Sequence, residues 1–112
     1  MGKNTRVGNA CEIKNSVLYD DTHVAHLSYV GDSVIGPEVN FGAGTITANL
    51  RLDKNNVPFN IKGIRTDSQR RKLGAIIGKG VQTGIGALLM PGTKIGSFAW
   101  VGSGTIVDED IK

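Results

Sequence analysis

A six-residue period runs through this chain. Counted from Ile77, the C-terminal third reads IGKGVQ, TGIGAL, LMPGTK, IGSFAW, VGSGTI and VDEDIK, six blocks in one phase. First positions are Ile77, Thr83, Leu89, Ile95, Val101 and Val107, and second positions are glycine in four of the six. Fifth positions are Val81, Ala87, Thr93, Ala99, Thr105 and Ile111, mostly small or β-branched. A helical face would repeat near 3.6 residues and an amphipathic strand at 2. Six residues with an inward aliphatic, a glycine and a small residue fit one short strand plus one turn. Three such units close a triangular coil of about eighteen residues, and stacked coils pair their strands in parallel around a narrow core. Glycine suits the turns because positive φ costs it no Cβ clash.

Further blocks lie upstream: VGNACE from Val7, IKNSVL from Ile13, IGPEVN from Ile35, FGAGTI from Phe41 and TANLRL from Thr47. The phase slips between Tyr19 and Val30 and again just after Val30. It is absent from about Leu50 to Leu73. The expected architecture is therefore a single all-β domain over 1–112, a parallel β-helix of about five coils with one long inserted loop at about 50–73. That loop carries Arg51, Lys54, Lys62, Arg65, Arg70, Arg71 and Lys72 against only Asp53 and Asp67. Either it is a solvated surface loop, or it is a basic arm that reaches an anionic ligand or a neighbouring subunit.

Composition removes the rival classes. Sixteen glycines disfavour a helical bundle, since each interior helical glycine costs roughly 1 kcal/mol relative to alanine. The glycines lack the every-third-residue spacing of collagen. One cysteine, Cys11, excludes an internal disulfide framework and a cysteine-rich metal site, and its fifth-position slot suits a small core residue. No apolar run reaches the ~18 residues of a membrane span. The first residues lack the apolar stretch of a signal peptide, so a cytoplasmic protein is expected. A net charge of +3 is ordinary for a small domain. The basic loop has no interleaved aromatics, so no nucleic-acid partner is expected. GAGT at Gly42 and GSGT at Gly102 lack the lysine and helix of a phosphate loop and read as coil turns. His23 and His26 lack the further ligands a metal site would need. Trp100 ends a hexad and is expected to point outward, at a corner or a trimer contact.

The stretch AHLSYVGDSVIGPEVNFGAGTITANLR, from Ala25 to Arg51, is more specific than the hexads. It resembles the acetyltransferase domain of the bifunctional sugar-1-phosphate acetyltransferase/uridylyltransferases, members of the hexapeptide-repeat β-helix superfamily. The continuation NIKGIRTDSQRRKLGAIIGKGVQTGIGALLMPGTKIGS is similar to the archaeal-type branch. The resemblance covers nearly the whole chain. It implies a left-handed coil, an exception to the right-handed crossover rule, and a homotrimer with active sites in grooves between neighbouring copies. It also implies transfer of an acetyl group from acetyl-CoA, a co-substrate, to the amine of glucosamine 1-phosphate or galactosamine 1-phosphate. No bound cofactor or metal is implied.

Residue by residue, the resemblance places His26 on the family's general base and Asn49 near the amine and acetyl carbonyl. Tyr29 and Asn40 fall on sugar-binding positions, and Lys14 on a lysine that contacts the sugar phosphate; Asn40 and Asn49 are also expected on turns, which asparagine favours for backbone reasons alone. Ile85 and Ser103 fall on coenzyme-contact positions, where Ile85 offers only backbone. Asn55 and Pro58 stand where archaeal-type members have lysines. The rival class is a noncatalytic β-helix that trimerises or regulates a sugar-nucleotide enzyme. Histidine suits the general-base role because its unperturbed pKa of ~6.5 lets a neutral imidazole take a proton from an ammonium. No covalent intermediate is needed, so neither Cys11 nor any serine is cast as nucleophile.

Overall fold

A computed structural model describes residues 1–112. The chain is an all-β solenoid of three parallel faces, wound by strands of two or three residues. The first face stacks Arg6–Val7, His23–Val24, Asn40–Phe41, Gln82–Thr83 and Trp100–Val101. The second stacks Glu12–Lys14, Tyr29–Gly31, Ile46–Thr47, Leu88–Leu89 and Ile106–Val107. The third stacks Val17–Leu18, Val34–Ile35, Ile76–Ile77 and Lys94–Ile95, with Ile111 bridging in parallel to Ile95 as its last rung. The expected five coils are therefore present, preceded by a partial turn in which Gly2 N donates to Leu18 O. The structure contains no helix, and so none long and apolar enough to cross a membrane.

The hexad's first position is the inward position. Ile77, Thr83, Leu89, Ile95, Val101 and Val107 are all buried, as are Leu18, Val24, Val30, Ile35, Phe41 and Thr47 in the earlier coils. Each strand turns its second-to-last or last residue inward because successive side chains alternate across it. Fifth positions Val81, Ala87 and Thr93 fill the space between the inward rows. Buried threonines satisfy their hydroxyls within the core: Thr45 Oγ1 meets Thr83 Oγ1 at 2.8 Å, and Thr22 Oγ1 donates to Gly36 O at 2.8 Å. No buried side-chain polar atom lacks a partner.

Four expectations are corrected. Leu18 is buried while Tyr19 is about half exposed, so the first phase slip lies between Ile13 and Leu18, one unit earlier than the blocks suggested. The slips at Ile13–Leu18 and Val30–Ile35 fall on the same corner, between the second and third faces, where five residues replace six. Second, the second-position glycines are not there for positive φ. A Cβ on Gly84 would collide with Ser103 on the next rung, so glycine permits close stacking. Positive φ belongs to the fourth position, held by Gly80, Gly86, Gly92, Phe98 and Gly104. Third, Asn40 lies in a strand, not on a turn, because it immediately precedes inward Phe41. Fourth, Trp100 points outward as expected, at 81% exposure, but from the flat first face and not from a corner.

The inserted segment is not an irregular loop. It leaves at Asn49, forms an antiparallel hairpin of Pro58–Ile61 with Ile64–Asp67, and returns through a Leu50–Lys72 bridge. Val57 is fully buried and packs against Gly92. Lys94 Nζ donates to Asn60 O and stands 5.1 Å from the centre of the Phe59 ring, a cation–π distance. The arm thus folds back on its own solenoid beside the third face.

Candidate active site

The corner between the first and second faces carries one column of residues. Leu27 N donates to Asn9 O, Gly44 N to His26 O, Gly86 N to Ala43 O, and Gly104 N to Ile85 O. Asn9, His26, Ala43, Ile85 and Ser103 are therefore successive rungs of a single ridge. His26, Ile85 and Ser103 share it, with Ile85 two rungs and Ser103 three rungs from His26. At a strand spacing of about 4.8 Å the latter separation is about 14 Å. Leu27, Ala43, Gly44, Ile85, Ser103 and neighbouring glycines line a shallow concavity along this ridge, its exposed atoms mainly apolar. The His26 side chain is exposed, and its carbonyl accepts Ser28 Oγ at 2.8 Å, which braces the corner.

The opposite edge of the second face carries a polar cluster. Asn49 Nδ2 donates to Tyr29 Oη at 3.1 Å and to Asp32 Oδ2 at 2.7 Å. Asn15 Nδ2 donates to Asp32 Oδ1 at 2.7 Å, and Arg70 from the arm stands 3.7 Å from the same oxygen. Lys14 pairs in register with Gly31, one rung below Tyr29's own strand end, and its charge also acts on Asp32. Tyr29 lies over Gly31: a Cβ there would collide with the tyrosine hydroxyl and with Asn49 Nδ2.

Asp32 is buried at this corner with φ of 50°, a left-handed conformation that aspartate and asparagine tolerate better than most residues. Burial would raise its pKa, but the hydrogen bonds from Asn15 and Asn49 and the charges of Arg70 and Lys14 outweigh it and hold the carboxyl below its ordinary value. The resulting stabilisation is present above the unfolded carboxyl pKa and is lost as pH falls through the lower folded value.

Of the sequence-predicted residues, Lys14, Tyr29 and Asn49 thus meet at one corner, and His26, Ile85 and Ser103 at another. Asn40 joins neither group. It is exposed on the first face, between His23 and Gln82 on adjacent rungs. Sequence reasoning missed Asn15 and Asp32, and it named Arg70 only as part of the basic arm, without its Asp32 partner. The first two carry a signal: Asn15, Asp32 and Asn49 recur at intervals of 17, the length of a coil shortened by one at this corner.

No protein-family model matches the chain. Among curated proteins it is 56% identical over 110 residues to the bifunctional protein GlmU of Methanococcus maripaludis, covering 98% of this chain and 26% of that protein. It is 52% identical over 110 residues to GlmU of Methanocaldococcus jannaschii, covering 98% of this chain and 27% of that protein. It is 51% identical over 106 residues to the bifunctional sugar-1-phosphate nucleotidylyltransferase/acetyltransferase of Sulfurisphaera tokodaii, covering 95% of this chain and 26% of that protein. The chain thus spans about a quarter of the length of these relatives.

Proposed function

We propose, from the premise that this chain is a hexapeptide-repeat β-helix homologous to a segment of the bifunctional sugar-1-phosphate nucleotidylyltransferase/acetyltransferases, that it transfers acetyl from acetyl-CoA to an amino-sugar 1-phosphate. The observation that carries this reading is the single ridge shared by His26, Ile85 and Ser103, one coil of which continues directly into Tyr29 and the Asp32 corner. The sugar ammonium first gives one proton to solvent. The freed amine attacks the thioester carbonyl, His26 takes the second proton from the nitrogen as the C–N bond forms, and the C–S bond breaks. The departing thiolate takes the proton back from His26, and free coenzyme leaves. Backbone N–H groups along the ridge supply donors for the oxyanion. Lys14 attracts the sugar phosphate as a point charge. Tyr29 hydrogen-bonds the sugar, and Asn40 lines its approach from a neighbouring copy.

Within one copy, His26 and the Asn49 cluster occupy opposite edges of the second face, and the Tyr29 hydroxyl leans towards the far edge. A homotrimer, in which one copy's ridge faces its neighbour's polar corner, brings the two together. Outward Val17 and Val34 on the third face and Trp100 on the first supply apolar area for such contacts.

The test is a thiol-release assay with acetyl-CoA and a panel of hexosamine 1-phosphates. Equal amounts of free thiol and N-acetylated sugar are expected with glucosamine 1-phosphate or galactosamine 1-phosphate. An intact oligomer that binds both substrates without releasing thiol would instead support the noncatalytic scaffold. A second expectation concerns Gly31, whose backbone is not in the left-handed region. Gly31→Ala should displace Tyr29 and Asn49 and lower kcat/KM by about 10- to 100-fold, the usual cost of an ångström-scale misplacement. Its circular dichroism should match the parent's. Unchanged kinetics would remove Tyr29 and Asn49 from the site.

A further inference from the structure

Asn49 is held one way round. Its amide nitrogen has two hydrogens, and both are engaged, one by Tyr29 Oη at 3.1 Å and one by Asp32 Oδ2 at 2.7 Å. Turning the amide over would set its carbonyl oxygen against the Asp32 carboxylate. Two acceptors would then face each other with no hydrogen between them. Asp32 cannot swing away to relieve the conflict. Its side chain is only 4% exposed, its second oxygen is held by Asn15 at 2.7 Å, and Arg70 closes over it from the arm. What Asn49 leaves unengaged is its carbonyl oxygen. Tyr29, which accepts from Asn49, keeps its own hydroxyl proton to give.

We propose that Asp32 is a positioning residue that locks the Asn49 amide so that its carbonyl oxygen, not its NH2, meets the N–H of the acceptor amine during acetyl transfer. This rests on the acetyl-transfer reading and adds the polarity of the contact. Positive charge grows on the attacking nitrogen as the C–N bond forms. An oriented carbonyl oxygen stabilises that charge, and Asp32 supplies the orientation from behind.

The decisive experiment exchanges the two groups. Asn49→Asp sets two carboxylates face to face and should lower kcat/KM by about a hundredfold. Asp32→Asn combined with Asn49→Asp restores a donor–acceptor pair and again presents an acceptor oxygen outward. The double variant should recover at least about tenfold over Asn49→Asp alone, with the recovery in kcat. If the reaction instead uses the NH2 of Asn49 as a donor, the introduced carboxylate has no proton to give. A double variant no better than Asn49→Asp alone would overturn the proposal. A readout independent of turnover accompanies it. In the uniformly 15N-labelled parent protein without substrate, the Asn49 side-chain amide protons should exchange slowly and show Overhauser contacts to the Tyr29 ring. Asp32→Asn should speed that exchange. Asn49 protons that exchange as freely as those of exposed Asn4 would show that no lock exists, whatever the kinetics. Absence of turnover in the parent, with the lock intact, would overturn the acetyl-transfer reading and leave the lock as a structural fact.

Discussion

Replacing His26 by alanine is expected to slow acetyl transfer by about 10²- to 10⁴-fold, the range that general-base assistance usually contributes. The loss should fall on kcat, because, of the groups assigned to substrate binding, Lys14 and Tyr29 sit at the far edge of the same face and Asn40 on another face, and none depends on the imidazole. The fold should survive. His26 is exposed, and what braces its corner is the backbone: its carbonyl accepts Ser28 Oγ at 2.8 Å and Gly44 N at 3.2 Å, neither of which involves the ring. His23 provides the control. It lies in the middle of the first face, paired in register with Arg6 and Asn40, with no part in the proton transfer, and His23→Ala should leave kcat within a factor of about two. Thiol release followed against pH separates the two variants. A His26→Ala protein that turns over at the parental rate would dismiss the imidazole as base.

The second large effect is on stability. Phe41→Ala should cost about 3–5 kcal/mol, the usual range for a buried phenylalanine. Phe41 is 2% exposed and is the largest side chain in a core otherwise made of aliphatics and threonines. Its strand joins Val24 on one side and Thr83 on the other, and thereby links the N-terminal coils to those beyond the inserted arm. A solenoid core is a thin stack of inward side chains, so the flanking rungs cannot collapse sideways into the gap. The cavity term should therefore be near its full value. Urea unfolding at fixed protein concentration checks this, because association would shift the midpoint by mass action. A midpoint unchanged by the substitution would mean that the coils do not unfold as one unit.

The core was legible in the sequence because its spacing is local. Inward Ile77, Thr83, Leu89, Ile95, Val101 and Val107 follow each other every six residues, and no partner from elsewhere is needed to see them. The arm was not legible as a hairpin. Val57 buries itself against Gly92, and Lys94 reaches Asn60, contacts made between residues more than thirty positions apart. The alternation within Pro58–Ile61 and Ile64–Asp67 is too short to be told from loop. At the proposed site, His26 and Asn49 are named through the resemblance and not through physics. Asp32 was passed over because a single aspartate on a turn looks like backbone chemistry. Only the recurrence of Asn15, Asp32 and Asn49 every 17 residues marks the three as stacked.

The ridge has a consequence for how such a protein can vary. Ala43 and Ile85 are 42 positions apart in sequence, yet Gly86 N donates to Ala43 O at 2.8 Å, so they are one step apart in space. Chain inserted at the neighbouring corner does not lengthen the path from His26 to Ser103. That path changes only when a whole coil is gained or lost, and then by about 4.8 Å. The reach demanded of any elongated molecule lying along it comes in integers, so drift in loop length cannot blur it.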